Sequence, residues 1–197
     1  MSEACFIDGF LPESTAKSLR LIGLAAEYPP EGVTDTVGVP STTYPGMSLT
    51  MKTDIEAVME GQIERTVGRK VSIGASFFRL LSENESTAHG EDFRIHYDGP
   101  YGDNAFLIHL SRPEDAFGGT AFWRHLGVNE VELTSDNAET VNQDLCARSA
   151  WDMDSFVGVR WNRAVFYPSN RFHSMWPLQG WGSTPETSRL IWTALFS

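Results

Sequence analysis

The chain has 197 residues, 41% of them hydrophobic and 12% aromatic, which suits one domain with a substantial core. Its 26 acidic and 15 basic residues give a formal net charge of −11, which opposes binding to the phosphate backbone of nucleic acids. No apolar run reaches the roughly 18 residues that a membrane span needs. Because the N-terminus lacks a signal-peptide pattern and only two cysteines are present, we expect a cytoplasmic protein that binds neither nucleic acid nor membrane.

Residues 1–70 are predicted to form an N-terminal helical layer. A short strand and turn over residues 5–11 precede a helix that opens at Pro12, because proline is favoured in a first helical turn. Residues 31–50 are rich in Gly, Pro, Ser and Thr, which predicts a long irregular connection. A second amphipathic helix follows Thr53, which is suited to cap it.

Strand signals dominate from residue 71 onward. Several short strands with turn signals, preceded by helices, indicate a mainly β protein with a double-stranded β-helix of the jelly-roll or cupin class. We expect one domain over 1–197, whose core at 71–197 carries a partly helical insert at about 127–160. The predicted strands cover residues 71–81, 93–98, 105–111, 121–123, 164–167, 172–176 and 189–196.

A His-x-Asp pair lies in the second of these strands. Apolar and aromatic residues alternate there with Arg94, His96 and Asp98. Residues two apart on a strand point the same way, so His96 and Asp98 face one side, about 7 Å apart along the strand. That spacing lets both side chains reach one metal ion. A second match, His89-Gly90-Glu91, lies in a polar segment typical of a loop, and we favour the 96–98 pair.

A third ligand has to come from another histidine, and His173 is the best candidate. It follows one predicted core strand and precedes the last, so an antiparallel fold can bring it back beside His96. Two imidazoles and one carboxylate on one side of an iron leave three coordination positions open. The alternative is a hydrogen-bonded histidine beside Trp176. The other histidines considered are His89, His109 and His125.

Arg189 begins the last apolar strand, which is otherwise uncharged. A guanidinium buried there needs an acceptor. One acceptor is the far carboxylate of a 2-oxo acid, held by a bidentate pair, and the alternative is an internal Asp or Glu. Thr193 lies on the same strand face, and His109 lies between two apolar residues. Both are candidate donors to the same carboxylate. The alternative for Thr193 is a plain strand residue, and the alternative for His109 is a core histidine whose hydrogen bonds are satisfied within the protein.

Together these residues resemble the Fe(II)/2-oxoglutarate oxygenases, in particular their prolyl-4-hydroxylase-like branch. The resemblance covers about residues 71–197. It departs from many relatives at His109, where they carry tyrosine. The matching segments are His96-Tyr97-Asp98, Gly118-Gly119-Thr120, the run Asn162-Arg163-Ala164-Val165-Phe166-Tyr167-Pro168 that leads to His173, and Ser188-Arg189-Leu190.

The resemblance implies Fe(II) held by His96, Asp98 and His173, and 2-oxoglutarate anchored on Arg189. It also implies hydroxylation of a small-molecule, amino-acid or peptidyl substrate, with release of succinate and CO₂. Two alternatives stay open: a metal-dependent oxygenase that does not use 2-oxoglutarate, and a non-enzymatic jelly-roll binding protein. The sequence favours no particular substrate or oligomeric state.

Overall fold

The computed structural model describes residues 3–28, 47–49, 54–83, 95–99, 101–145, 147–177 and 180–197. Within these ranges the protein is mostly β, with two antiparallel sheets ordered β1-β7-β4-β9-β3-β2 and β6-β5-β8. The arrangement agrees with the expected jelly-roll class. The strands are β1 Cys5–Ile7, β2 Met47–Leu49, β3 Ile73–Leu81, β4 Asn104–His109, β5 Gly119–His125, β6 Trp151–Gly158, β7 Ala164–Pro168, β8 His173–Trp176 and β9 Arg189–Phe196; the helices are α1 Glu13–Ala25, α2 Asp54–Val67 and α3 Ala138–Asp144.

The large sheet is buried on both faces, and β9 shows this most clearly. Leu190 and Trp192 pack into an outer core, whereas Ile191 and Leu195 pack into an inner core that also includes Phe122 of the small sheet. A strand covered on both faces is an almost continuous apolar run, as β9 is. Because side chains alternate along a strand, Arg189 and Thr193 share the inner face with Ile191.

Helices α1 and α2 cover the outer face of the large sheet. Leu19 and Ile63 are buried there with Phe78 and Trp192 in one cluster. Arg20 of α1 is also buried and donates to the backbone carbonyls of Leu110 and Glu186, at 2.7 and 2.6 Å. Both helices predicted for the N-terminal layer are present. No described helix is long and apolar enough to cross a membrane.

The N-terminal region also contributes strands, which we did not expect beyond residues 5–11. β1 pairs with β7, and β2 pairs with β3 inside the segment predicted to be irregular. Each has three residues, too few to show a period of two, and only their pairing with a long strand defines them. The capping of α2 by Thr53 lies outside the described residues.

Part of the predicted insert belongs to the small sheet. Residues 151–158 form β6, which pairs with β5 along most of its length. We missed this strand because residues 152–156 are exposed and the alternation that Trp151 and Met153 begin is broken at Ser155. The helix expected near 141–150 is α3, which begins earlier and ends at Asp144. Its Val141 packs with Trp123 and Trp151 in a third core cluster.

Candidate active site

His96 and Asp98 lie outside the regular strands, in contrast to the strand predicted over 93–98. His96 forms an isolated antiparallel bridge with His173, with N–H···O distances of 3.0 and 2.9 Å between the two backbones. The amide of Asp98 donates to the carbonyl of Ser169 at 2.7 Å. These backbone bonds attach the 95–99 segment to the turn before β8, so the three candidate ligands are brought together by a few long-range contacts.

The three side chains converge on one point. One ligand atom from each of His96, Asp98 and His173 lies within 4.8 Å of the other two. Nε2 of His173 is 3.4 Å from Oδ2 of Asp98, and the two imidazole rings are 4.2 Å apart between centroids. This is the one such group of three or more metal-binding side chains in the part of the chain that the structure describes. Two nitrogens and one carboxylate oxygen suit a ferrous ion.

The remaining histidines lie elsewhere. The buried ring of His125 pairs with the Asp144 carboxylate through Nε2 at 3.0 Å and accepts the amide N–H of Val128 at Nδ1. This histidine therefore joins α3 to the small sheet. His109 lies on β4, outside the cluster. The His89-Gly90-Glu91 match lies outside the described residues.

The hydrogen bond of His173 prepares its ring for a metal. Nδ1 is 2.9 Å from the carbonyl oxygen of Arg171, which can only accept, so Nδ1 carries the proton. Nε2 is thereby left with its lone pair on the side of Asp98. Burial lowers the pKa of His173 to about 4, which keeps the ring neutral near pH 7. A metal-binding imidazole must be neutral, so the ring is in the required state.

Tyr167 completes the immediate surroundings of the ligands, and the sequence analysis did not predict it. Its hydroxyl lies 3.1 Å from Oδ2 of Asp98, to which it donates, and 3.3 Å from Nε2 of His173. Burial raises the pKa of Asp98, while the His96 charge and the Tyr167 hydrogen bond lower it. The signal that was available is the alternation of β7, which puts Tyr167 on the same face as Val165, the inner one.

A second group of polar side chains lies on the inner face of the large sheet, with donors that lack acceptors. Nε of Arg189, Oγ1 of Thr193 and both ring nitrogens of His109 are buried without a hydrogen-bond partner among the described residues. Each such group costs on the order of 1–3 kcal/mol if it stays unpaired. Burial, with a contribution from the nearby Arg79, lowers the pKa of Arg189 to about 9. These unpaired donors fit an anion with several oxygen acceptors.

A polar cavity of about 430 Å³ adjoins Asp98. Its aromatic walls are Tyr97 and Tyr101, and its polar lining includes Asp103, Ser169 and Asn170. None of the described residues that line the cavity has a cationic side chain. Its size and hydroxyl-rich surface suit a small polar molecule better than a large apolar one.

No protein-family model matches the sequence, and no curated protein matches it. Solved structures do match over the whole chain. The viral collagen prolyl hydroxylase of Paramecium bursaria Chlorella virus-1 aligns with 99% of this chain and 90% of its own, at 10% identity and a TM-score of 0.53. HygX from Streptomyces hygroscopicus, solved with nickel and 2-oxoglutarate bound, aligns with 100% of this chain and 83% of its own, at 12% identity and a TM-score of 0.53.

The fold is that of Fe(II)/2-oxoglutarate-dependent oxygenases. A third structure with this fold is SnoN, an α-ketoglutarate-dependent epimerase from nogalamycin biosynthesis, with 14% identity, a TM-score of 0.55 and coverage of 100% of this chain and 78% of its own. SnoK, from the same pathway, is a carbocyclase. The oxygenase fold thus carries several reaction outcomes, and the reaction of this chain has to be argued from its own residues.

Proposed function

We propose that the protein is an Fe(II)- and 2-oxoglutarate-dependent oxygenase that hydroxylates a small-molecule, amino-acid or peptidyl substrate. The observation that carries this proposal is the combination of two features on the inner faces of the sheets. His96, Asp98 and His173 converge within 4.8 Å, and the unpaired donors of Arg189, Thr193 and His109 lie on the large sheet. A metal site needs only the first feature, whereas a metal-chelating dicarboxylate needs both.

The proposed roles follow from the contacts. His96, Asp98 and His173 hold the iron, and the backbone bonds between the two histidines keep the set assembled. Arg189 forms a charge-assisted pair with the far carboxylate of 2-oxoglutarate, to which Thr193 and a neutral His109 add hydrogen bonds. When bound, the iron would activate O₂ as the oxidant, with 2-oxoglutarate as co-reductant: one oxygen atom would enter succinate as CO₂ is released, and the other would enter the hydroxyl group of the product. The chain positions them and excludes water from a buried site.

The cavity beside Asp98 is the proposed substrate entrance. HygX has been solved with 2-oxoglutarate and hygromycin B bound together, so an organic substrate and the cosubstrate can share this fold. Hydroxylation is the simplest outcome for this chain, while the epimerase and carbocyclase neighbours define the other outcomes that a product analysis has to distinguish. Cytoplasmic location and the lack of nucleic-acid and membrane partners stay predictions.

Calorimetric titration of the metal-free protein tests the proposal. Fe(II), added without oxygen, should bind at one site, and 2-oxoglutarate should then bind tightly only to the metal-loaded protein. Asp98→Asn should remove both events, whereas Asp103→Asn, the matched control at an exposed carboxylate of the same cavity, should remove neither. Iron binding without 2-oxoglutarate binding would favour an oxygenase that does not use this cosubstrate. No iron binding would favour a non-enzymatic binding protein.

A further inference from the structure

The carbonyl oxygen of Arg171 sets the tautomer of His173, because it accepts the ring proton of Nδ1 at 2.9 Å. The direction of this one carbonyl therefore decides which ring nitrogen has the free lone pair. A backbone carbonyl keeps its direction only if its peptide plane is held in place. The contacts that hold the peptide between Arg171 and Phe172 consequently matter to the proposed metal site.

The amide of Phe172 holds one side of this peptide. In a trans peptide the N–H and the C=O point in opposite directions. The N–H of Phe172 donates to the carbonyl oxygen of Val131 at 3.0 Å, on the side away from the histidine ring. Glu132 forms an isolated antiparallel bridge with Arg171. The segment 131–132 thus fixes the peptide through the main chain.

The side chain of Arg171 gives the turn a second attachment, to β6. Its buried guanidinium donates from Nη2 to Oδ2 of Asp154 at 2.7 Å. Its Cζ atom lies 5.4 Å from the ring centroid of Phe122, and that ring lies 6.4 Å from the ring of His173. Nε has no hydrogen-bond partner among the described residues, so the carboxylate and the aromatic ring are the contacts that locate this guanidinium.

A buried ion pair is a costly way to stabilise a fold. Both charges lose their water, and apolar side chains of similar volume are often equally stabilising. The directional, charge-assisted bond between Arg171 and Asp154 does something that apolar packing does not, because it holds the turn in one geometry. Two residues after Arg171, that turn leads to His173.

We propose that the Asp154–Arg171 ion pair positions the His173 ring for metal binding, through the carbonyl of Arg171. Arg171 is a positioning residue, because it acts on the metal through the histidine. The inference rests on the proposed function, since it needs the metal site, and it gives β6 a part in assembling that site. Loss of the pair should loosen the Arg171 carbonyl and let His173 adopt its other tautomer.

Arg124 provides a matched control, because it pairs with the same carboxylate. Its Nη2 lies 2.7 Å from Oδ1 of Asp154, the same distance as that from Arg171 to Oδ2. The Arg124 side chain is 40% exposed, against 8% for that of Arg171. The carbonyl that accepts from His173 belongs to Arg171, so Arg124→Gln removes a partner of Asp154 without touching that carbonyl.

The test uses two measurements on the wild type, Arg171→Gln, Arg171→Lys, Asp154→Asn and Arg124→Gln. The first is an anaerobic Fe(II) titration against a competing chelator, which gives the affinity and the number of folded sites. The second is nuclear magnetic resonance of the metal-free protein with isotope-labelled histidine, which reports the tautomer of each ring. The signals of His173 are those absent in His173→Ala.

Arg171→Gln should weaken Fe(II) binding by about tenfold, the low end for groups that orient a metal ligand, because it acts through one backbone carbonyl. The Nε2–H tautomer of His173 should appear beside the Nδ1–H form. Asp154→Asn should shift both readouts in the same direction, and it tests the pair independently if Arg171→Gln does not fold. Arg171→Lys should recover part of the loss, and Arg124→Gln should change neither readout.

Three results would overturn the positioning role while leaving the proposed function intact. They are unchanged Fe(II) affinity in both Arg171→Gln and Asp154→Asn, weaker Fe(II) binding with an unchanged tautomer, and an equal loss in Arg124→Gln, which would make the ion pairs of Asp154 purely structural. Failure of the wild-type protein to bind Fe(II) would overturn the proposed function, and this inference with it.

Discussion

The hydroxyl of Tyr167 donates a hydrogen bond to Oδ2 of Asp98 at 3.1 Å, and it also lies 3.3 Å from Nε2 of His173. One buried side chain therefore contacts two of the three proposed metal ligands. Groups that hydrogen-bond to metal ligands fix their orientation, and their loss commonly costs 10- to 100-fold in metal affinity. The strand β7, on which Tyr167 lies, thus contributes to the proposed metal site as well as to the core.

Tyr167→Phe should weaken Fe(II) binding by about tenfold, because the Asp98 carboxylate loses its donor while the ring still fills the core. The measurement is an anaerobic Fe(II) titration with a competing chelator. Tyr101→Phe is the matched control, since this tyrosine lines the cavity beside Asp98. Equal affinities of the Tyr167 variant and the wild-type protein would show that the hydroxyl does not position the ligand.

His109 should make the metal-free protein sensitive to acid. Burial and the charges of Arg189 and Arg163 hold its pKa well below 6.5, so the unfolded chain takes up a proton that the folded protein excludes. The free energy of unfolding should therefore fall as the pH drops below about 6.5, by up to about 1.4 kcal/mol per pH unit for this residue. His173, whose pKa is about 4, adds to the same trend between pH 6.5 and 4.

Urea unfolding of the metal-free protein at pH 7.5, 6.5, 5.5 and 4.5 measures this effect. His109→Phe removes one of the two titrating rings and should make the dependence below pH 6.5 less steep, with the contribution of His173 remaining. Burial raises the pKa of Asp98, so protonation of this carboxyl increases the free energy of unfolding as the pH falls. This contribution is the same in the wild type and the variant. An identical slope in wild type and variant would contradict the buried, neutral state of His109.

Asp154 of β6 joins the small sheet to the turn that precedes His173. Its carboxylate accepts from Arg171 at 2.7 Å and from Arg124 at 2.7 Å. The Arg171 side chain is buried, so Asp154→Asn leaves a buried charge poorly paired and should lower the free energy of unfolding by about 1–3 kcal/mol. Asp152→Asn, at an exposed position on the same strand, should change it by less than about 0.5 kcal/mol. Equal effects of the two variants on the free energy of unfolding in urea would contradict the stabilising role of Asp154.

Gly118 has no room for a side chain. Its φ is +63°, and an added Cβ would lie 2.2 Å from the carbonyl oxygen of Trp176. Gly118→Ala should therefore destabilise the protein by more than about 2 kcal/mol, through backbone strain and displacement of β8. Gly158→Ala is the control, because its nearest contact would be an ordinary 3.7 Å. The midpoint of thermal unfolding should be clearly lower for Gly118→Ala than for Gly158→Ala. Similar midpoints would contradict the close approach of Gly118 to the Trp176 carbonyl.

Four residues of the proposed site could be selected from the sequence because each carried a local signal. His96 and Asp98 stood two apart, His173 preceded the last strand, and Arg189 interrupted an apolar run. The structure brings the first three together and puts Arg189 on the inner face. The strand was expected over 93–98, and its described part, residues 95–98, forms a single bridge, from His96 to His173 of β8.

Tyr167 carried a weaker signal, the alternation of apolar residues along β7. Which face of β7 points inward is decided by its pairing with β4, far along the chain, so the contact of the Tyr167 hydroxyl with Asp98 could not be predicted. The strand β6 was missed for a related reason. It lies at the edge of the small sheet with most of its residues exposed, and the alternation of its sequence stops after Asp154.

The most direct test of the proposed function is an anaerobic titration of the metal-free protein with Fe(II) and then 2-oxoglutarate, followed by visible absorption. We predict a weak charge-transfer band that appears only after both additions, is absent in His173→Ala, and is weakened in Arg189→Gln. The band should persist in the control Arg69→Gln, which removes the same charge from an exposed arginine. Iron binding without such a band, or a band of full intensity in His173→Ala, would contradict the proposed site.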